Sequence, residues 1–144
     1  MAIVIYDPDC GFCRVSLALL LSWDRGGSGW RRSKHGALRP LPLGTEEADR
    51  LLGELTEDER NASWHVVTAD GTRTSAGAAL APTLALLPGG RILASFFARF
   101  PRTTERAYRW VTAHRGLLGR FVPARARRWA DRVIAAHGGP EPSR

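Results

Sequence analysis

The segment AIVIYDPDCGFCRVSLALLLSW, residues 2–23, sets the only two cysteines of the chain between a strand signal and a helix signal. Ala2 to Tyr6 is a continuous apolar, largely β-branched run, the pattern of a buried strand. Asp7-Pro8-Asp9 ends it, because proline locks φ and has no N–H to give a sheet ladder. From Gly11 or Phe12 to about Trp23 a helix is predicted. Its stretch VSLALLLSW is apolar nearly all round, so it must be covered, most simply by a sheet. A strand feeding straight into a buried helix is a βα unit, and Cys10 and Cys13 fall at its joint.

The remaining chain supplies the other layers. Asp24–Gly29 reads as a turn and residues 30–36, WRRSKHG, as a basic link. Ala37–Leu43, ALRPLPL, reads as a short strand whose prolines favour a sheet edge. Thr45 is a candidate N-cap, with Glu46 and Glu47 in the first turn of a helix running to about Leu55. TEDE, residues 56–59, has capping-box spacing for one further turn. Trp64–Thr68 is a strand, 69–72 (ADGT) a tight turn, and Arg73–Ser75 the returning hairpin partner. SAGAALAPTLALL, from Ser75, reads as a small-residue helix bent or broken at Pro82, and further helices are expected at 92–99, 103–114 and 123–137. The order β-α-β-α-β-β-α plus helices suits one α/β domain, a mixed sheet with helices on its faces. The domain is expected to span 1–137, with 138–144 as a disordered tail.

The chain of 144 residues is a normal size for one domain. Its longest uninterrupted apolar stretch, Leu17–Leu21, is too short to span a bilayer, so no stable membrane insertion is expected. No basic region precedes the first apolar run, which reads as no signal peptide and a cytoplasmic location. In that compartment structural disulfides are rare. A four-residue loop closed by Cys10 and Cys13 would add only about 2 kcal/mol of stability.

The net charge of +7 is concentrated: residues 99–132 hold ten arginines against Glu105 and Asp131. Such a region could meet phosphates, with Tyr108, Trp110 and Trp129 as stacking surfaces for nucleic acid, or an acidic partner. It could equally be the solvated side of terminal helices, or an amphipathic helix covering the sheet or resting on a membrane surface.

A Cys-x-x-Cys at a helix start supports redox chemistry. The nucleophile is a thiolate, and the N–H groups and dipole at a helix N-terminus favour that form of Cys10. Cys13, one turn on, can approach the same face and resolve a mixed disulfide. Asp7 and Asp9 bear on the pair as supporting groups. Either could move protons to or from Cys13, or Asp9 could simply cap the helix. Half a zinc site is the main rival, but His35, His65, His114 and His137 are scattered and form no second ligand pair, and His65 within WHVV reads as alternating outward from its strand. Neither metal nor cofactor is expected. The apolar strand followed by Asp-x-Asp also opens haloacid-dehalogenase-type phosphatases. There Gly11 stands where Thr or Val is required, and Lys34 is the only lysine.

YDPDCGFC, residues 6–13, resembles the Tyr-Asp-x-x-Cys-x-x-Cys opening of the DCC family of thiol–disulfide oxidoreductases, which are thioredoxin-like in fold. SWHVVTADGTRTSAGAAL, residues 63–80, is similar to the family's middle strand, Asp-Gly turn and Ser-x-x-Ala helix entry. AYRWVTAHRGLLGRF, residues 107–121, resembles its closing Tyr-x-x-x-Ala-x-x-Arg segment, with Thr112 or Ala113 for the alanine. The resemblance implies a thioredoxin-like mixed sheet flanked by helices, with extra C-terminal helices. It implies Cys10 as attacking and Cys13 as resolving thiol, acting on a protein or small-molecule thiol or disulfide, with a separate redox partner. Two departures stand out. Pro8 replaces an expected glycine, and NASW (61–64) lacks the proline that thioredoxin-type proteins carry before their third strand. Ser63 and Trp64 would occupy that place in the substrate surface.

Overall fold

The computed structural model describes residues 1–26 and 36–140. Most of the expected turn and basic link before the second strand, and the last four residues of the expected tail, lie outside the described residues. The elements run β1 (Ala2–Tyr6), α1 (Gly11–Gly26), β2 (Leu38–Pro42), α2 (Glu46–Leu51), α3 (Glu57–Ala62), β3 (His65–Val67) and β4 (Arg73–Ser75). A 3-10 turn (Ala76–Ala79) follows, then α4 (Leu80–Leu86), α5 (Arg91–Arg99), α6 (Pro101–Ala113), α7 (Arg115–Arg120) and α8 (Ala124–Ala136).

The sheet order is β2-β1-β3-β4. β2 lies parallel to β1, with Val4 opposite Pro40; β3 is antiparallel to β1, with Val4 opposite Val66; β4 is antiparallel to β3. This is a thioredoxin-like mixed sheet flanked by helices. β1 is interior and buried on both faces, which explains its unbroken apolar run. Ala2, Val4 and Tyr6 point to one side and share a core with Leu17, Leu21, Leu84 and Ile134. Ile5 points to the other, with Leu41, Ala48, Leu52 and Val67. β2 sits at the edge, where Pro40 and Pro42 leave no ladder donor unmatched on the outer side.

Local signals set several boundaries. The Thr45 hydroxyl accepts from the Ala48 N–H at 3.3 Å. Thr56 and Glu59 form the expected reciprocal capping box. At the Asp-Gly turn, Gly71 takes φ of 81°, which glycine adopts without strain. The small-residue helix breaks between Ala79 and Leu80, where the 3-10 turn gives way to α4, rather than at Pro82, which lies within the first turn of α4.

Three readings change. Asp24 does not open a turn: α1 continues to Gly26, and the Asp24 carboxylate accepts the N–H groups of Ala37 and Leu38, both at 3.0 Å, tying the helix to the start of β2. α2 ends at Leu51 rather than Leu55, because Leu52 turns fully into the second core. His65 points inward, not out. Its Nδ1 lies 2.7 Å from Ser75 Oγ and its Nε2 3.1 Å from the Arg60 carbonyl, so both ring nitrogens have partners in the interior.

Part of the arginine-rich region is structural. α8 packs along α1, burying Ala130 and Ile134, while Asp131 pairs with Arg14 at 3.2 Å. Gly138, at φ 82°, and Gly139 close α8 through N–H bonds to the carbonyls of Ala135 and Ile134.

Candidate active site

The joint between β1 and α1 is built residue by residue. After Tyr6, the Asp7 carboxylate accepts the Asp9 N–H at 2.9 Å, turning the chain through an Asx turn. Asp9 is exposed and does not cap the helix. Cys10 takes that position instead: its carbonyl accepts from Arg14 N–H at 3.0 Å, and its sulfur from Cys13 N–H at 3.2 Å. A sulfur thus fills the place an Asp or Ser oxygen commonly holds at a helix N-cap. Cys10 and Cys13 are joined by a disulfide, their Cα atoms 5.2 Å apart, and both are half-buried.

Charged groups from the C-terminal helices surround this joint. Arg115, the first residue of α7, faces Asp7 at 3.9 Å. The methylenes of Arg127 on α8 lie over Gly11, where a Cβ would come within 3.3 Å of Arg127 Cδ. That approach favours a residue without a side chain at the first position of α1. Burial pushes the Tyr6 phenol up, with Arg14 opposing the shift.

Cys13 borders a groove of about 540 Å³, walled by α1, the entry to β3, and α6. Apolar surface comes from Phe12, Leu20, Trp64, Phe97, Tyr108 and Val111. Asp7 and Ser63 also line it, whereas Cys10 and Asp9 do not. Of the six residues singled out by sequence, four therefore meet in one groove, Cys10 adjoins through its bond to Cys13, and Asp9 faces solvent.

The residues the motif reading missed are Tyr108 and Arg115. The Tyr108 hydroxyl accepts the Trp64 N–H at 3.1 Å, and burial pushes its pKa up to about 12. The Trp64 carbonyl accepts from Ala76 N–H at 3.2 Å, and its indole donates to the Ala76 carbonyl at 3.0 Å. The signal was present: Tyr108 and Arg115 are the tyrosine and arginine of the Tyr-x-x-x-Ala-x-x-Arg segment, seven residues apart and so about two helical turns.

Among the described residues, no group of three or more His, Cys, Asp or Glu side chains could hold a metal ion. No helix among them is long and apolar enough to cross a membrane. Chemically, two adjacent sulfurs at a helix start beside an open groove can exchange between a disulfide and a dithiol. A family model described as DCC1-like thiol-disulfide oxidoreductase matches residues 4–121. No curated protein and no solved structure matches the chain.

Proposed function

The chain belongs to the DCC1-like thiol-disulfide oxidoreductase family, and from that premise we propose that Cys10 and Cys13 are a two-electron couple acting on thiol or disulfide substrates. In the reduced protein the Cys10 thiolate attacks a substrate disulfide. One substrate thiolate leaves and takes up a proton, and a mixed disulfide forms on Cys10. Cys13 loses its proton and attacks Cys10. The second substrate thiol departs, and the Cys10–Cys13 bond remains. Two electrons pass from the protein dithiol to the substrate, and the reverse sequence oxidises a dithiol.

The observation that carries this assignment is the N-cap placement of Cys10, whose sulfur accepts the Cys13 N–H at 3.2 Å. Ionisation strengthens such a bond, so the fold favours the thiolate of the attacking residue. Asp7 acts as a positioning residue. Its carboxylate holds the turn that presents Cys10, and Arg115 offsets its charge. Asp9 contributes its main-chain N–H to that turn. Ser63 and Trp64 form the substrate-facing wall opposite α1. No organic cofactor is needed, since the dithiol carries the electrons; a separate thiol or disulfide partner must reset it. In the cytoplasmic setting expected from the sequence, the resting pair would be a dithiol.

Trapping tests the assignment. Cys13→Ser should accumulate a mixed disulfide with a small disulfide, seen as a mass adduct on Cys10, while Cys10→Ser should not. Equal trapping by both variants, or trapping by Cys10→Ser alone, would overturn the roles.

A further inference from the structure

The groove beside Cys13 carries a statement about substrate that family membership does not. Its volume of about 540 Å³ falls in the range of small-molecule sites, roughly 300–1,000 Å³. Its polar groups are largely engaged within the protein. Asp7 and Arg115 face each other at 3.9 Å. The Thr104 hydroxyl donates to the Phe97 carbonyl at 3.3 Å, and the Thr112 hydroxyl to the Arg109 carbonyl at 3.0 Å. With its two charges set against each other, the groove complements a neutral ligand better than an ionic one.

The main chain argues in the same direction. An extended polypeptide docks by exchanging main-chain hydrogen bonds with free N–H and C=O groups of extended backbone, as at an exposed sheet edge. At Trp64 the N–H is held by the Tyr108 hydroxyl and the carbonyl by Ala76. What Trp64 offers a ligand is its apolar ring. Leu19, 60 % exposed on α1, adds an open apolar contact to the lining of the groove.

We propose that this groove binds the apolar body of a neutral, low-molecular-weight disulfide and delivers its sulfurs to the Cys10–Cys13 dithiol. The inference rests on the oxidoreductase reading above. The reaction is the balanced exchange already described: the substrate S–S bond breaks, two substrate thiols form, and the protein dithiol becomes its disulfide. An apolar dithiol is the corresponding substrate in the opposite direction.

The test uses the full-length protein, reduced, freed of reductant, and followed in single turnover by tryptophan fluorescence. The probes are diethyl, dipropyl and dibutyl disulfide, bis(2-hydroxyethyl) disulfide, and insulin as a polypeptide disulfide. Each rate constant is divided by that probe's rate with free dithiothreitol, which removes differences in leaving-group quality. The normalised rate should rise about fourfold for each methylene the groove buries. It should exceed that of the hydroxyethyl probe and of insulin by at least tenfold. Leu19→Ser should flatten the alkyl series, read as the ratio of dibutyl to diethyl rates within the same variant. A flat series in the wild-type protein, or a preference for insulin, would overturn the groove inference while the redox reading stands. Failure to react with any of the five disulfides would overturn both.

Discussion

Reduction of the Cys10–Cys13 bond frees a sulfur that already sits in an N-cap position, and its ionisation is the property on which attack depends. The magnitude follows from the contacts. A hydrogen bond from a neutral donor to a charged acceptor contributes about 1.5–3 kcal/mol. Here the donor is the Cys13 N–H, 3.2 Å from Cys10 Sγ. The start of α1 adds about 0.3–1 kcal/mol. The Asp7 charge opposes ionisation but is itself faced by Arg115. Since about 1.4 kcal/mol is a factor of ten, the folded chain should hold roughly twenty to several hundred times more Cys10 thiolate than the unfolded chain at the same pH below the titration. Cys13→Ser is the right variant, because it removes the second sulfur and keeps the main-chain donor. Iodoacetamide alkylation from pH 5 to 10 should show a native half-point at least one pH unit below that of the urea-unfolded protein. The half-point is the quantity to compare, since intrinsic nucleophilicity falls as a thiol becomes more acidic and lowers the plateau. A native half-point equal to or above the unfolded one would refute the N-cap argument.

Two further outcomes test the scaffold. Burial lowers the pKa of His65, so it is neutral in the fold while an unfolded histidine takes up a proton near pH 6.5. Below that pH the unfolded chain binds more protons, and stability should fall by up to about 1.4 kcal/mol per pH unit until the folded histidine itself protonates. Urea titrations between pH 7.5 and 5 should show this slope, and His65→Gln should reduce it; an unchanged slope in the variant would assign the pH dependence elsewhere. Tyr108→Phe keeps the ring but strands the Trp64 N–H, and should cost about 1–3 kcal/mol in a urea titration. An ultraviolet titration of the wild-type protein should show one tyrosine ionising near pH 12; its persistence in Tyr108→Phe would contradict the assignment.

What was legible in the sequence was local. The strand-to-helix joint, the Thr56–Glu59 capping box and the Asp-Gly hairpin are each specified within a few residues, and each forms. The failures share the opposite cause. Asp9 has the higher N-cap propensity, yet the Asx turn made by Asp7 sets the register so that Cys10 arrives at that position. His65 is polar, and only its distant partners Ser75 and Arg60 explain its burial. The role of the arginine-rich end also depends on contacts across the fold. Asp131 finds Arg14, Arg127 covers Gly11, and Arg115 faces Asp7, all between residues more than one hundred positions apart. The groove draws on α1, the entry to β3 and α6, so its apolar character could not be read from any one segment.

The central claim is that the two sulfurs form and break their bond reversibly as a unit. A redox titration of the wild-type protein in glutathione buffers, quenched with acid and read by alkylation and mass, tests it most directly. The account predicts one two-electron transition between dithiol and intramolecular disulfide, tenfold per about 30 mV, superimposable from the reduced and oxidised sides. A protein that yields only glutathione adducts, or whose two sulfurs titrate independently, would contradict it.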